Sequence, residues 1–227
     1  MLFDESDGNG AVVLSWSGGK DSALSLWALR QANHSVRTLL TTVTEEYDRI
    51  SMHGVRVSLL RRQAEEVGLP LVEVRIPPSC SNELYEEHMA GALSSPELRD
   101  CERYAFGDLF LEDVREYREQ QLATWGKRGV WPLWGRDTRM LAGEFVEAGF
   151  KGVVVCVDQS KLDGDWCGRE LNAEFLADLP SDVDPCGERG EFHTFVYDGP
   201  IFSRPLMIER GGIVKRDGFI FCDLLAC

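Results

Sequence analysis

The stretch Ala11-Val12-Val13-Leu14-Ser15-Trp16-Ser17-Gly18-Gly19-Lys20-Asp21-Ser22 decides the fold. Its first four residues are an apolar, β-branched run of a length that suits a buried strand. The residues that follow it, Ala23-Leu24-Ser25-Leu26-Trp27-Ala28-Leu29, hold no breaker and are apolar nearly all round, as a core helix is. Ser17 to Ser22 is therefore a strand-to-helix turn. Paired glycines let a backbone approach a ligand closely, and a helix start adds unpaired N–H groups and a positive dipole end. Lys20 brings a mobile positive charge, and Ser15, Ser17 and Ser22 bring hydroxyls. Asp21 repels phosphate unless a Mg²⁺ ion bridges the two, so Asp21 is the expected metal ligand. Neither the G-x-x-x-x-G-K-S/T loop nor the G-x-G-x-x-G fingerprint fits these residues. The turn reads as a phosphate cradle.

Working outward, Val36 to Val43 is a β-branched second strand, with Thr42 and Val43 at the carboxyl end where open α/β sheets bind ligands. A polar loop holding Met52 and His53 comes next. Val57, Leu60, Ala64 and Val67 repeat at helical spacing, and Gly68 is placed as a C-cap. Leu71 to Ile76 is a third strand, closed by Pro77-Pro78, and Leu84 to Leu93 forms a third helix. Tyr104-Ala105-Phe106 is a short strand ending in Gly107-Asp108, followed by a charged helix from about Leu111 to Trp125. A further helix carries Met140, Leu141, Phe145 and Ala148. Alternation of this kind predicts an α/β fold, a doubly wound parallel sheet with helices on both faces. After Lys151 the chain turns to short strands and Gly-containing turns, and Ile213 to Phe221 with Asp217-Gly218 at its centre predicts a tight hairpin. The expected layout is a tail at 1–10, a nucleotide-binding domain at 11–140 and a smaller α+β domain at 141–227.

The chain has 227 residues and a net charge of −14, with 24 basic against 38 acidic side chains. Such a surface argues against a nucleic-acid partner. Seven scattered cysteines with no C-x-x-C suit a reducing cytoplasm rather than a disulfide framework. The acidic amino terminus does not read as a leader, and no apolar run has the length of a membrane span. A cytoplasmic protein without a membrane association is expected, and a homodimer is left open.

A second constellation, Gly187-Glu188-Arg189-Gly190-Glu191-Phe192-His193-Thr194, gathers two carboxylates, a histidine and two glycines in eight residues. On composition alone it suits a charged turn before a strand, or a site that binds a cation, holds Mg²⁺ or moves protons. The Ser17–Ser22 string resembles the pyrophosphatase-type loop of the ATP pyrophosphatases, which cleave ATP between its α and β phosphates and transfer AMP to a substrate oxygen. That loop, Gly107-Asp108 before a charged helix, Pro132-Leu133-Trp134 with Asp137, and the Gly187–Thr194 segment together resemble one branch, the diphthine–ammonia ligase family. The last segment is close to that family's G-E-x-G-E-(Tyr/Phe)-H-T signature. Met52-His53-Gly54 partly matches the Tyr/His-rich loop of that family.

The resemblance implies the PP-loop ATP pyrophosphatase fold and an ATP-dependent amidation. A carboxylate, that of diphthine on elongation factor 2 or an analogue, is adenylated, and ammonia displaces AMP. It implies ATP and Mg²⁺ as cofactors, ammonium as nitrogen donor, and elongation factor 2 as protein substrate. The expected nucleotide site is Ser15, Ser17, Gly18, Gly19, Lys20, Asp21, Ser22, Thr42, Val43, His53, Gly107 and Asp108. The expected substrate site is Trp134, Asp137, Gly187, Glu188, Gly190, Glu191, His193 and Thr194. Lys20, Asp21, Glu188, Glu191 and His193 are the expected catalytic groups, with Glu188, Glu191 and Trp134 hosting the trimethylammonium of diphthine. Two other classes stay open: a tRNA-modifying enzyme with the same loop, and a non-catalytic ATP or AMP sensor.

Overall fold

A computed structural model describes residues 10–50 and 54–227. His53 and nearly all of the expected tail fall outside these residues. The chain runs β1 (Val12–Ser15), α1 (Lys20–Gln31), β2 (Val36–Thr44), β3 (Arg49–Ile50), α2 (Val57–Val67), β4 (Leu71–Ile76) and α3 (Asn82–Leu93). It continues through β5 (Arg103–Ala105), α4 (Glu112–Thr124), β6 (Arg128–Val130), α5 (Thr138–Glu147) and β7 (Lys151–Asp158). The last elements are α6 (Ala173–Asp178), β8 (Phe192–Asp198), β9 (Ile208–Arg216) and β10 (Phe219–Ala226).

The first sheet is the predicted parallel one, with order β4-β2-β1-β5-β6. Its strand order reverses between β1 and β5, which is where open α/β sheets form a ligand crevice. The Ser17–Ser22 turn leaves β1 and Gly107-Asp108 leaves β5, so the two flank that crevice. Short β3 pairs antiparallel with Val43 and Thr44 while β4 holds the other edge of β2, so β3 sits beyond the end of β1, toward the turn. One face of the sheet packs on α3 and α4 through Met89, Leu93 and Leu122. The other face packs on α1 and α2 through Leu26, Leu59 and Leu60.

The second sheet is antiparallel, in the order β8-β7-β10-β9. The predicted hairpin is β9–β10, with Asp217 and Gly218 both at positive φ, as a two-residue turn of that hand requires. Gly68 closes α2 at φ 73°, the left-handed cap expected of it. One hydrophobic core runs from Leu14, Leu26 and Leu60 into Phe145, Val155 and Phe195 of the second part, so the two sheets share their packing. Among the described residues no helix is long and apolar enough to cross a membrane.

Phe145 is fully buried, stacks on Phe150 at 5.1 Å between ring centroids, and touches Gly152. Replacing it leaves a hole between α5 and the second sheet. Phe145→Ala is expected to lower unfolding free energy by about 3–5 kcal/mol, read from urea denaturation.

Candidate active site

The turn after β1 takes its shape from Gly18, whose φ is +76°. A side chain there has no room, since a Cβ would lie 2.6 Å from Gln63 Oε1 and 2.8 Å from Leu60 Cδ1. The Gly19 N–H lies 3.3 Å from Ser17 Oγ, and Ser22 Oγ donates to the Gly19 carbonyl at 2.9 Å. Of the backbone N–H groups at this helix start, that of Lys20 is not free for a ligand: it donates to Thr194 Oγ1 at 3.0 Å. This bond ties the start of α1 to β8.

Lys20 is only 2% exposed, yet its ammonium has full partners. Nζ donates to both Asp21 oxygens at 2.8 Å and to the Cys186 carbonyl. Burial works to discharge this ammonium, but Asp21, by charge and hydrogen bond, together with the other acidic groups around it outweighs burial, so the Lys20 pKa lies above the ordinary lysine value. Gly107 packs where a Cβ would lie 3.1 Å from the Asp21 backbone, which brings the end of β5 against the start of α1. Asp108 faces Arg118 Nε at 2.8 Å and Trp131 Nε1 at 3.3 Å.

The Gly187–Thr194 segment splits the two glutamates into different jobs. Gly187 and Gly190 both have positive φ, and a Cβ on Gly187 would lie 2.6 Å from the Phe192 carbonyl oxygen. The chain folds back on itself there. Glu191, 4% exposed, accepts from the Asp184 amide and the Arg189 amide, each at 3.0 Å, and so staples the loop. Asp184 does the same from the other side, accepting from the Cys186 amide at 2.8 Å and from Thr138 Oγ1 at 2.8 Å. Glu188 instead lines the cavity, with one oxygen accepting from the Leu109 amide at 2.7 Å.

Burial pushes the Glu188 carboxyl up to about 7, partly offset by that amide and reinforced by Asp21 and Asp108. Burial, then Lys20 and Lys161, push His193 down to about 4, so its imidazole is neutral near pH 7. Burial raises the Cys186 thiol to about 12, and its Sγ donates to the Thr138 carbonyl at 3.3 Å; it is a protonated, packed thiol.

These pieces enclose one cavity of about 410 Å³. Ser15, Ser17, Lys20, Asp21, Ser22, Thr42, Gly107 and Asp108 line it from the nucleotide set. Gly187, Glu188, Gly190, His193 and Thr194 line it from the substrate set. Gly18, Gly19, Val43 and Glu191 stand behind this lining. Trp134 and Asp137 are drawn elsewhere: Trp134 carries the Arg115 guanidinium 4.7 Å above its ring, and Asp137 is the exposed N-cap of α5, accepting from Met140 N at 2.8 Å. The sequence did not point to an aromatic lobe of the cavity, Tyr85, Tyr104, Phe106, Tyr117 and Trp125 with Arg118, nor to Asp184 and Gln63, which brace the loops behind it. Gln63 did leave a signal, as a lone amide on the apolar face of α2.

Comparison with known proteins agrees with this geometry. A model of the diphthamide synthase N-terminal domain matches residues 10–126, and one of the diphthamide synthase C-terminal domain matches residues 137–222. The chain belongs to the diphthamide synthase family. Among its relatives is the diphthine–ammonia ligase of Schizosaccharomyces pombe, 24% identical over 92% of this chain and 38% of the relative. Those of Danio rerio and Homo sapiens are 25% and 23% identical, over 87% and 92% of this chain and 86% of each relative. The chain thus spans little more than a third of the Schizosaccharomyces pombe relative and most of the vertebrate ones. These relatives carry the name of a carbon–nitrogen-forming ligase, the enzyme class expected from the sequence.

Glu188 generates a prediction. A carboxyl whose folded pKa lies above its unfolded value binds more protons when folded, so stability falls as pH rises through that window. Glu188→Gln removes this penalty and keeps the oxygen that Leu109 donates to. The variant's stability advantage over the parent chain is expected to grow from about pH 4.5 to pH 7 and then level off, read from urea midpoints across that range.

Proposed function

We propose that the chain is an ATP-dependent ligase that adenylates a carboxylate, that of diphthine on elongation factor 2 or an analogue, and transfers ammonia to it. The products are the amide, AMP and pyrophosphate. The observation that carries this reading is that the Ser17–Ser22 turn and the Gly187–Thr194 segment line one cavity, with Lys20 of the turn bonded across it to Thr194 Oγ1 and to the Cys186 carbonyl. Family membership supports it independently.

A carboxylate is a poor acyl donor until it becomes a mixed anhydride. In the first step a carboxylate oxygen attacks the α-phosphorus, and the bond to the pyrophosphate oxygen breaks. Lys20, moving from Asp21 to the phosphates, neutralises charge on the leaving group. In the second step ammonia attacks the acyl carbon and AMP departs with the electron pair of the C–O bond. Glu188, poised near neutrality, accepts the proton that the nitrogen loses. The same carboxylate faces the trimethylammonium end of diphthine better than Glu191 or Trp134, which are engaged elsewhere. A neutral His193 adds no charge to repel that cation.

Mg²⁺ fits this donor set as an ion held chiefly by phosphate oxygens, because Asp21 is 31% exposed and its two oxygens come free as Lys20 turns to phosphate. When bound there, it supplies further charge neutralisation on the triphosphate. Among the described residues no group of three His, Cys, Asp or Glu side chains gathers to hold a metal alone.

The decisive assay supplies Mg-ATP, ammonium and elongation factor 2 bearing diphthine, and measures AMP, pyrophosphate and amidation of the factor. AMP formation coupled to amidation is expected, falling roughly 10²–10³-fold in Lys20→Ala. AMP without amidation redirects the search to another carboxylate. Absence of turnover despite tight nucleotide binding sinks the ligase assignment in favour of a sensor.

A further inference from the structure

Gln63 belongs to α2, away from the cavity lining, and is completely buried. Every polar atom of its side chain is nonetheless occupied. Oε1 accepts from the Trp16 indole at 3.0 Å, while Nε2 donates to the Gly18 carbonyl at 2.9 Å and to the Val196 carbonyl at 2.5 Å. The indole is a donor only, so it fixes which end of the amide faces the two carbonyls. The Gly18 carbonyl takes a second bond from the Val196 amide at 2.9 Å.

This matters because Gly18 O and the Gly19 N–H belong to one planar trans peptide unit and point in opposite directions. Holding the Gly18 oxygen toward Gln63 and β8 turns the Gly19 N–H the other way, toward Ser17 Oγ, and Ser17 lines the cavity. A glycine at positive φ with a second glycine after it offers little resistance of its own to rotation of that peptide. Rotation would present a carbonyl, an acceptor, to an incoming phosphate.

We infer that Gln63 is a positioning residue for phosphate recognition: its amide locks the Gly18–Gly19 peptide with the N–H on the Ser17 side, the side from which a phosphate in the cavity would approach. This rests on the ATP reading above. The side chain does not line the cavity, so its effect passes through the Gly18–Gly19 peptide and is selective for the phosphates, sparing the nucleoside.

The test compares Q63L and Q63E with the parent chain by titrating ATP and adenosine separately. Q63L removes both donors. It is expected to weaken ATP tenfold or more while leaving adenosine within twofold. Q63E, when its buried carboxyl is protonated, regains one O–H donor toward the carbonyls. Its ATP affinity is expected to recover as pH falls, beyond any change seen in the parent chain, with adenosine flat. A purely structural role lowers the melting temperature of both variants without changing the ratio of ATP to adenosine affinity. Equal weakening of the two ligands, or no weakening in a folded variant, overturns the inference. If Q63L does not fold, the pH profile of Q63E decides alone. A parent chain that binds no ATP refutes the nucleotide reading itself and is thereby distinguished from failure of the Gln63 lock.

Discussion

The hydrogen bonds between the turn after β1 and strand β8 are the constraint on which the site depends. Strand β8 lies at the edge of the second sheet, and an edge strand carries backbone groups that must be covered. Here the phosphate turn is the cover: Val196 donates to the Gly18 carbonyl, and two residues earlier Thr194 accepts from the Lys20 amide. The same contacts pull the Gly187–Glu191 loop, which precedes β8, over the crevice of the first sheet. Remove them and the phosphate turn, the glutamate loop and the buried lysine no longer share a cavity.

The electrostatics follow from that closure. On the proposed ATP reading, a chain with a net charge of −14 would have to receive a triphosphate, and the cavity holds two cations that could meet it. Lys20 rests on Asp21, and Arg118 rests on Asp108. Each pair is neutral to an approaching anion until it opens. Placed in a partly desolvated pocket, such charges act more strongly on phosphate than they would at the surface. Glu188, the remaining carboxylate at this wall, accepts from a backbone amide instead of a bonded cation, and burial pushes its pKa up to about 7.

Much of this was legible in the sequence because the governing signals are local. The strand–turn–helix around Ser17–Ser22, the Gly68 cap and the Asp217-Gly218 hairpin depend on residues a few positions apart, and the structure has all three. Strand order was inferred only as a class, since pairing is a long-range choice. The roles of Glu188 and Glu191 were not separable, because two left-handed glycines, one before Glu188 and one between the two glutamates, turn one side chain inward and the other back on its own loop. Trp134 and Asp137 belonged to the resemblance, yet their nearest partners are Arg115 and the first turn of α5. Gln63 is hard to read from sequence because helical periodicity is carried by the apolar positions of α2, and a single polar residue among them does not reveal its distant partners.

The separation in sequence of the clamped residues carries a consequence for biosynthesis. Thr194 lies 174 positions after Lys20, and Val196 lies 133 after Gln63. A ribosome therefore releases the entire first sheet well before the strand that shapes its phosphate turn. Contacts this distant form late and slowly. Nascent chains lacking β8 therefore hold the residues of the Ser17–Ser22 turn without the strand that clamps them.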